Sequence, residues 1–231
     1  MTAADITLLD GLGLVWLVAS WFGFEIWSRR RVRSVPSIIS EIALYRRLWM
    51  ERMILHENRQ SDATILGNLL RYAIFFASTT IFILGGLVAL LGTTQRVIEV
   101  VAQLPFAGPV PVWVWEVKAL ILIYIFVYAF FKFTWSAWQY NALSIIVGAA
   151  PPPGSPAAAV AAHVEIAARV ATLGGDSFNH GMRAYYFSMA VMSWFLHPLA
   201  LIVAASWVTL VLYHREFHSK TLDALRGGRA A

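Results

Sequence analysis

Four apolar stretches of membrane-spanning length dominate the chain and leave it few folds to choose from. They run over about Leu8 to Trp27, Tyr72 to Leu91, Ala119 to Trp138 and Tyr185 to Leu212. No Asp, Glu, Lys or Arg lies between Arg71 and Arg96, or between Arg183 and Arg215. A hydrocarbon core needs about 20 helical residues to cross, and each stretch supplies them. Lipid offers backbone N–H and C=O groups no partner, and no barrel-like alternation is present, so the spans must be helices. The expectation is an all-α integral membrane four-helix bundle, read as a single transmembrane domain over residues 1–231. Charged residues make up only 13% of the chain, against roughly 25% in soluble domains, and the mean hydropathy is +0.64.

The first span carries its basic flank after the apolar run, at Arg29, Arg30, Arg31 and Arg33. A signal peptide puts the basic end first, so this span reads as a retained anchor. The segment from Ser28 to Arg71 holds nine arginines, while the first ten residues hold Asp5 and Asp10 and no basic residue. The positive-inside rule then puts the N-terminus outside and the Arg-rich loop in the cytoplasm. Segments 28–71 and 139–184 become cytoplasmic, 92–118 an outer loop, and 213–231 an outer tail. The tail runs against the trend, since it carries Arg215, Lys220, Arg226 and Arg229. The net charge of +5 points to anionic lipid as a partner and not to nucleic acid. Cysteine is absent, which removes disulfides, thiolate metal sites and thiol nucleophiles.

Ile38, Ile42, Tyr45, Trp49 and Met53 recur at helical spacing beside Arg46, Arg47 and Arg52. This amphipathic helix lies on lipid with Trp49 at the headgroups, or packs on a partner helix. In the second cytoplasmic segment, Pro151 to Pro156 is a breaker and Ala157 to Leu173 is helical. Gly174-Gly175-Asp176 is expected to end that helix, and Asp176 to Asn179 to cap the next. In the outer loop, an apolar segment over Val97 to Leu104 precedes the prolines of 105–111, and Trp113 and Trp115 form an interfacial anchor. Ala19, Ser20 and Gly23, and Ser78, Gly85, Gly86 and Gly92, mark places of close packing. Arg71 follows Trp27 by 44 positions and Arg183 follows Trp138 by 45, a spacing that fits a parallel two-fold internal repeat.

The run Phe178-Asn179-His180-Gly181-Met182-Arg183-Ala184-Tyr185-Tyr186-Phe187 resembles the bacterial and plant membrane proteins grouped as "domain of unknown function 599". The likeness extends through Trp194-Phe195, Pro198 and Leu212 to Phe217, and includes Tyr45 to Met50 and Phe75 to Thr79. It implies a four-span membrane protein, and the expected location is a bacterial inner (plasma) membrane. It supplies no activity, cofactor or catalytic residue.

Candidate functional residues fall into two groups. Arg71 and Arg183 stand where helices enter the membrane, with Asn179, His180 and Tyr185 beside the second. They hold an anionic solute or lipid headgroup, or merely anchor their helices with Tyr72 or Tyr185 packed on the guanidinium. Glu25, Lys132 and His197 are ionisable groups within spans. Glu25 and Lys132 serve an ion or proton step, or form a register-setting ion pair, or Lys132 snorkels. His197-Pro198 kinks span four and lines a path, ligates haem, or is hydrogen-bonded within the bundle. His214 and His218 have metal-ligand spacing, but interfacial His is ordinary and no metal is expected. Neither a phosphate loop, a zincin motif nor a catalytic carboxylate pair is present. The expected function is that of a non-enzymatic membrane protein without cofactor, working as a homo-oligomer or a membrane-complex subunit. A small-solute or ion transporter and a haem- or quinone-associated redox subunit are the alternatives.

Overall fold

The computed structural model describes residues 3–32, 34–93, 95, 111–152 and 154–227, with side chains from residue 8 onward. Every element among them is an α-helix: α1 (Ala3–Arg31), α2 (Ile38–Met53), α3 (Gln60–Leu91), α4 (Val112–Gly148), α5 (Ala157–Trp194), α6 (Pro198–Phe217) and α7 (Lys220–Gly227). The apolar segment of the outer loop, its prolines before Pro111, and Arg33, Arg96, Pro153 and Arg229 fall outside the described residues, as does the side chain of Asp5.

Five helical stretches are long and apolar enough to cross a membrane, one more than the four spans expected. The extra one comes from Pro198. Its missing N–H leaves the Trp194 carbonyl without the intrahelical donor, and its ring blocks continuation. The run expected to be one kinked span therefore becomes two helices, α5 ending at Trp194 and α6 starting at Pro198. His197 caps α6: its backbone is extended and its Nδ1 accepts from the Leu199 N–H at 3.1 Å. His197 thus lies at the turn between two helices, not in the middle of a span.

Gly174 and Gly175 do not end a helix either, because α5 runs unbroken through them. Helix-interior glycine costs about 1 kcal/mol relative to alanine, but here it permits close approach. A methyl group on Gly174 would sit 2.9 Å from the Tyr140 ring, and one on Gly181 would sit 2.6 Å from Phe133. Gly175 faces the Arg46 guanidinium in the same way. Ser136 Oγ donates to the Gly174 carbonyl at 2.8 Å, and Ser177 Oγ and the Gln139 amide lie 2.7 Å apart. The α4–α5 pair is consequently tight along its length.

With 37 and 38 residues, α4 and α5 are each about 55 Å long at ~1.5 Å per residue, against roughly 30 Å of hydrocarbon. Their excess projects from one end of the bundle. There α2 packs on it, burying Met50 and Met53 with Leu143, Val164, Ala167 and Ala171. Trp49 donates to Asp62 at 2.7 Å, and His56 Nδ1 lies 2.9 Å from the other Asp62 oxygen. The amphipathic helix thus follows the partner-helix reading. The main core, with Leu122, Phe126, Phe133, Phe187, Val191 and Leu201, fills the space between α1, α3, α4, α5 and α6.

The internal repeat is not supported. The segment after α1 contains a separate helix, α2, whereas the corresponding segment 139–184 consists of the extensions of α4 and α5 themselves, with no separate helix among the described residues. The tail also changes place. Tyr45 OH donates to the Leu225 carbonyl at 3.4 Å, so α7 sits against α2. The basic tail and the Arg-rich loop share one end of the bundle, called the basic end below.

Candidate functional site

The basic end is organised around a buried ion pair. Arg183 on α5 and Glu216 on α6 are 5% and 7% exposed, and Arg183 Nη2 donates to Glu216 Oε2 at 2.8 Å. The other carboxylate oxygen accepts from Ser28 Oγ on α1. The Arg183 guanidinium lies 5.3 Å from the centre of the Phe24 ring. One cluster thereby ties three helices, and Phe24, not a tyrosine, covers the arginine.

A second cluster adjoins it. Glu25 Oε1 accepts from Arg29 Nη2 at 2.8 Å and lies 3.3 Å from His180 Nδ1. Arg29 Nη2 is 3.2 Å from His180 Nε2. Guanidinium groups only donate, so Nε2 is the acceptor and a neutral His180 carries its proton on Nδ1, toward Glu25.

Two chambers flank the Arg183–Glu216 pair. One, of about 450 Å³, is lined by Ile38, Ile39, Ile42 and Arg46 of α2, Phe178, Asn179, Met182 and Arg183 of α5, and Arg215, Glu216, Ser219 and Thr221. The other, of about 430 Å³, lies between α1, α4 and α5 and includes Arg29, Lys132, Asp176, Asn179, His180, Arg183 and Glu216. Together five cationic side chains line them (Arg29, Arg46, Lys132, Arg183, Arg215) against two carboxylates (Asp176, Glu216). A third hollow, of about 610 Å³, is an apolar groove between α1 and α6 that includes the small residues Ala19, Ser20 and Gly23. Gly85 and Gly86 contact nothing within 4 Å of an added methyl.

Of the residues singled out from the sequence, Asn179, His180 and Arg183 come together here. Arg71 does not join them. It is exposed in the interior of α3 and donates to Asn68. Tyr185 points elsewhere: its hydroxyl lies 2.7 Å from Thr80 Oγ1, and its ring packs against Phe126 and Phe133. Glu25 reaches the cluster, but its partners are Arg29 and His180 rather than Lys132. Lys132 has no ion-pair partner among the described residues, and its Nζ lies 5.4 Å from the centre of the Tyr128 ring. His214 and His218 fall at the basic end, their rings 6.0 Å apart. Arg46, Arg215, Glu216 and Ser28 were not singled out as site residues: Arg215 and Glu216 reach this end only because the hairpin at Pro198 returns α6 to it, and Arg46 because α2 packs on α5 at Gly175.

The opposite end holds its own polar cluster. Lys118, 2% exposed, donates to the Trp194 carbonyl at 3.2 Å, the group that Pro198 leaves without its helical donor. Asp10 lies 3.2 Å from Lys118 Nζ and accepts from Trp194 Nε1 at 2.6 Å. Trp115 is buried here against Phe195, whereas Trp113 is exposed as an anchor would be.

No curated protein and no solved structure matches the chain. A family model matches residues 12–221, nearly the whole length, and carries the Arg183 cluster within it. The chain belongs to the family described as protein of unknown function, DUF599.

Proposed function

We propose that this protein is a non-enzymatic component of a bacterial inner membrane that binds anionic ligands at its basic, cytoplasm-facing end. The excess of cationic side chains lining the two chambers carries this reading. Such an excess, partly screened from water by surrounding helices, concentrates anions. The interior between the two polar ends supports binding over conduction. Leu122, Phe126, Phe133, Phe187 and Val191 fill it, so the described residues of a single bundle offer a receptor and no aqueous path. The groove between α1 and α6 gives the chain a surface for a second copy or another subunit, consistent with work in an assembly.

Native mass spectrometry of protein extracted gently from its own membrane tests the reading. Anionic lipid or solute should be retained by the wild type and depleted in Arg46→Gln/Arg215→Gln. A mass without any anionic adduct would overturn anion binding. A mass of one copy alone would overturn the assembly.

A further inference from the structure

We infer that the chamber between α2, α5, α6 and α7 is a binding site for a phosphate group carried on an apolar body. The inference rests on the anion-binding reading above and names the ligand class of one chamber. Three arginines line it, and their states differ. Arg183 is engaged by Glu216. Arg46 and Arg215 form no salt bridge with any described residue, although the Asp176 carboxylate of the adjoining chamber is near enough to Arg46 for their charges to interact, and each arginine is held in place. The Arg46 guanidinium lies against the bare backbone of Gly175. Arg215 rests 5.0 Å from the centre of the Tyr186 ring and donates to its hydroxyl at 2.8 Å through Nη1. The one carboxylate in the chamber wall, Glu216, already accepts from Ser28 and Arg183. It is not free to neutralise the other two guanidinium groups.

Planar guanidinium forks positioned before binding suit phosphate oxygens better than a mobile ammonium would. Thr221, in the first turn of α7, and Asn179 add a hydroxyl and an amide to the wall. The rest of the wall is apolar, through Ile38, Ile39, Ile42, Phe178 and Met182. A chamber with cations on one side and isoleucines on the other fits a phosphate ester with a hydrophobic substituent better than a small hydrated anion. The phosphate chemistry is the same for a phospholipid headgroup and for a soluble phosphate, so the experiment must separate the two sources.

Purified full-length protein in phosphate-free dodecyl maltoside micelles is titrated with inorganic phosphate, and separately with succinate. It is also compared with protein in the same micelles doped with phosphatidic acid. Thermal unfolding is followed by tryptophan fluorescence. Stabilisation by inorganic phosphate identifies a soluble source, and stabilisation by phosphatidic acid alone identifies a lipid source. Either supports the site if Arg46→Gln/Arg215→Gln binds about a hundredfold more weakly, roughly tenfold for each charge-assisted group lost. Should that double variant not fold, Thr221→Asp serves: it adds a carboxylate at an exposed position in the first turn of α7, where an acid is tolerated, and should abolish the response. An unchanged response in the tested variant overturns the site. Stabilisation by succinate but by neither phosphate source overturns the phosphate assignment and leaves anion binding standing. No response to any of the three overturns both.

Discussion

Arg183 and Glu216 are buried charges that satisfy each other, and the physics of such pairs is asymmetric. Desolvation absorbs most of their attraction, so the pair adds little net stability, but removing one partner strands the other. Glu216→Gln should therefore destabilise the protein by about 3–5 kcal/mol, and Arg183→Met by a similar amount. The double variant Arg183→Met/Glu216→Met should lie closer to wild type than either single change. Denaturant titration in detergent micelles measures all three. Additive losses in the double variant would mean that the pair is not coupled as its 2.8 Å contact requires. Lys118 at the other end follows the same logic with one addition, because it also supplies the donor that Pro198 lacks. Lys118→Met should cost about 3 kcal/mol or more, and adding Asp10→Asn should recover part of the loss. If Asp10→Asn recovers nothing, the cost lies in the Trp194 carbonyl and not in the stranded carboxylate.

Helix packing in the bundle turns on where a side chain is missing. Gly181 lies against the fully buried Phe133 ring, whereas Gly85 faces open space on α3. Gly181→Ala should destabilise by about 1–3 kcal/mol through overpacking, while Gly85→Ala should be neutral or stabilising by up to ~1 kcal/mol from helix propensity. The two unfolding midpoints, measured side by side, check this, and equal shifts would deny the α4–α5 contact its tightness. The same glycines show where the sequence could be read and where it could not. Hydropathy locates the apolar runs because lipid selects them residue by residue. A Gly-Gly pair has two meanings, a helix end or a close approach, and only the neighbouring helices, α4 with Tyr140 and α2 with Arg46, decide between them. Pro198 likewise allows a kink or a break. The break prevails here because Lys118 satisfies the freed carbonyl and His197 caps the new helix, and both contacts depend on side chains distant in sequence. Arg183, Asn179 and His180 were legible as a cluster because they share one turn of α5. Arg215 and Glu216 belong to it only through the turn at Pro198, and Arg46 only through the packing of α2 on Gly175.

Across the whole molecule, the two polar clusters stand about a membrane thickness apart. Asp10 and Ser28 lie on the same helix, 18 residues apart, or about 27 Å at ~1.5 Å per residue, close to the roughly 30 Å of a hydrocarbon core. Of the 18 Lys and Arg residues, only Arg96 and Lys118 fall between Leu91 and Ala119. Both basic segments gather at the other end, so five spans remove the conflict that four created. We propose, by the positive-inside rule, that the N-terminus faces outside and that the Arg-rich loop and the C-terminal tail both face the cytoplasm. The absence of cysteine makes the test clean. Single cysteines replace Glu57, between α2 and α3, Val112, the first residue of α4, and Lys220, the first residue of α7, all of them exposed. A membrane-impermeant maleimide applied to intact cells, with the outer membrane permeabilised, should label Val112→Cys alone. Glu57→Cys and Lys220→Cys should react only after the inner membrane is opened. Lys220 is the decisive position, because an uninterrupted fourth span would carry it outside with Val112. Labelling of both in intact cells would put the turn at Pro198 inside a single crossing, and the Arg183–Glu216 pair could then not form across α5 and α6.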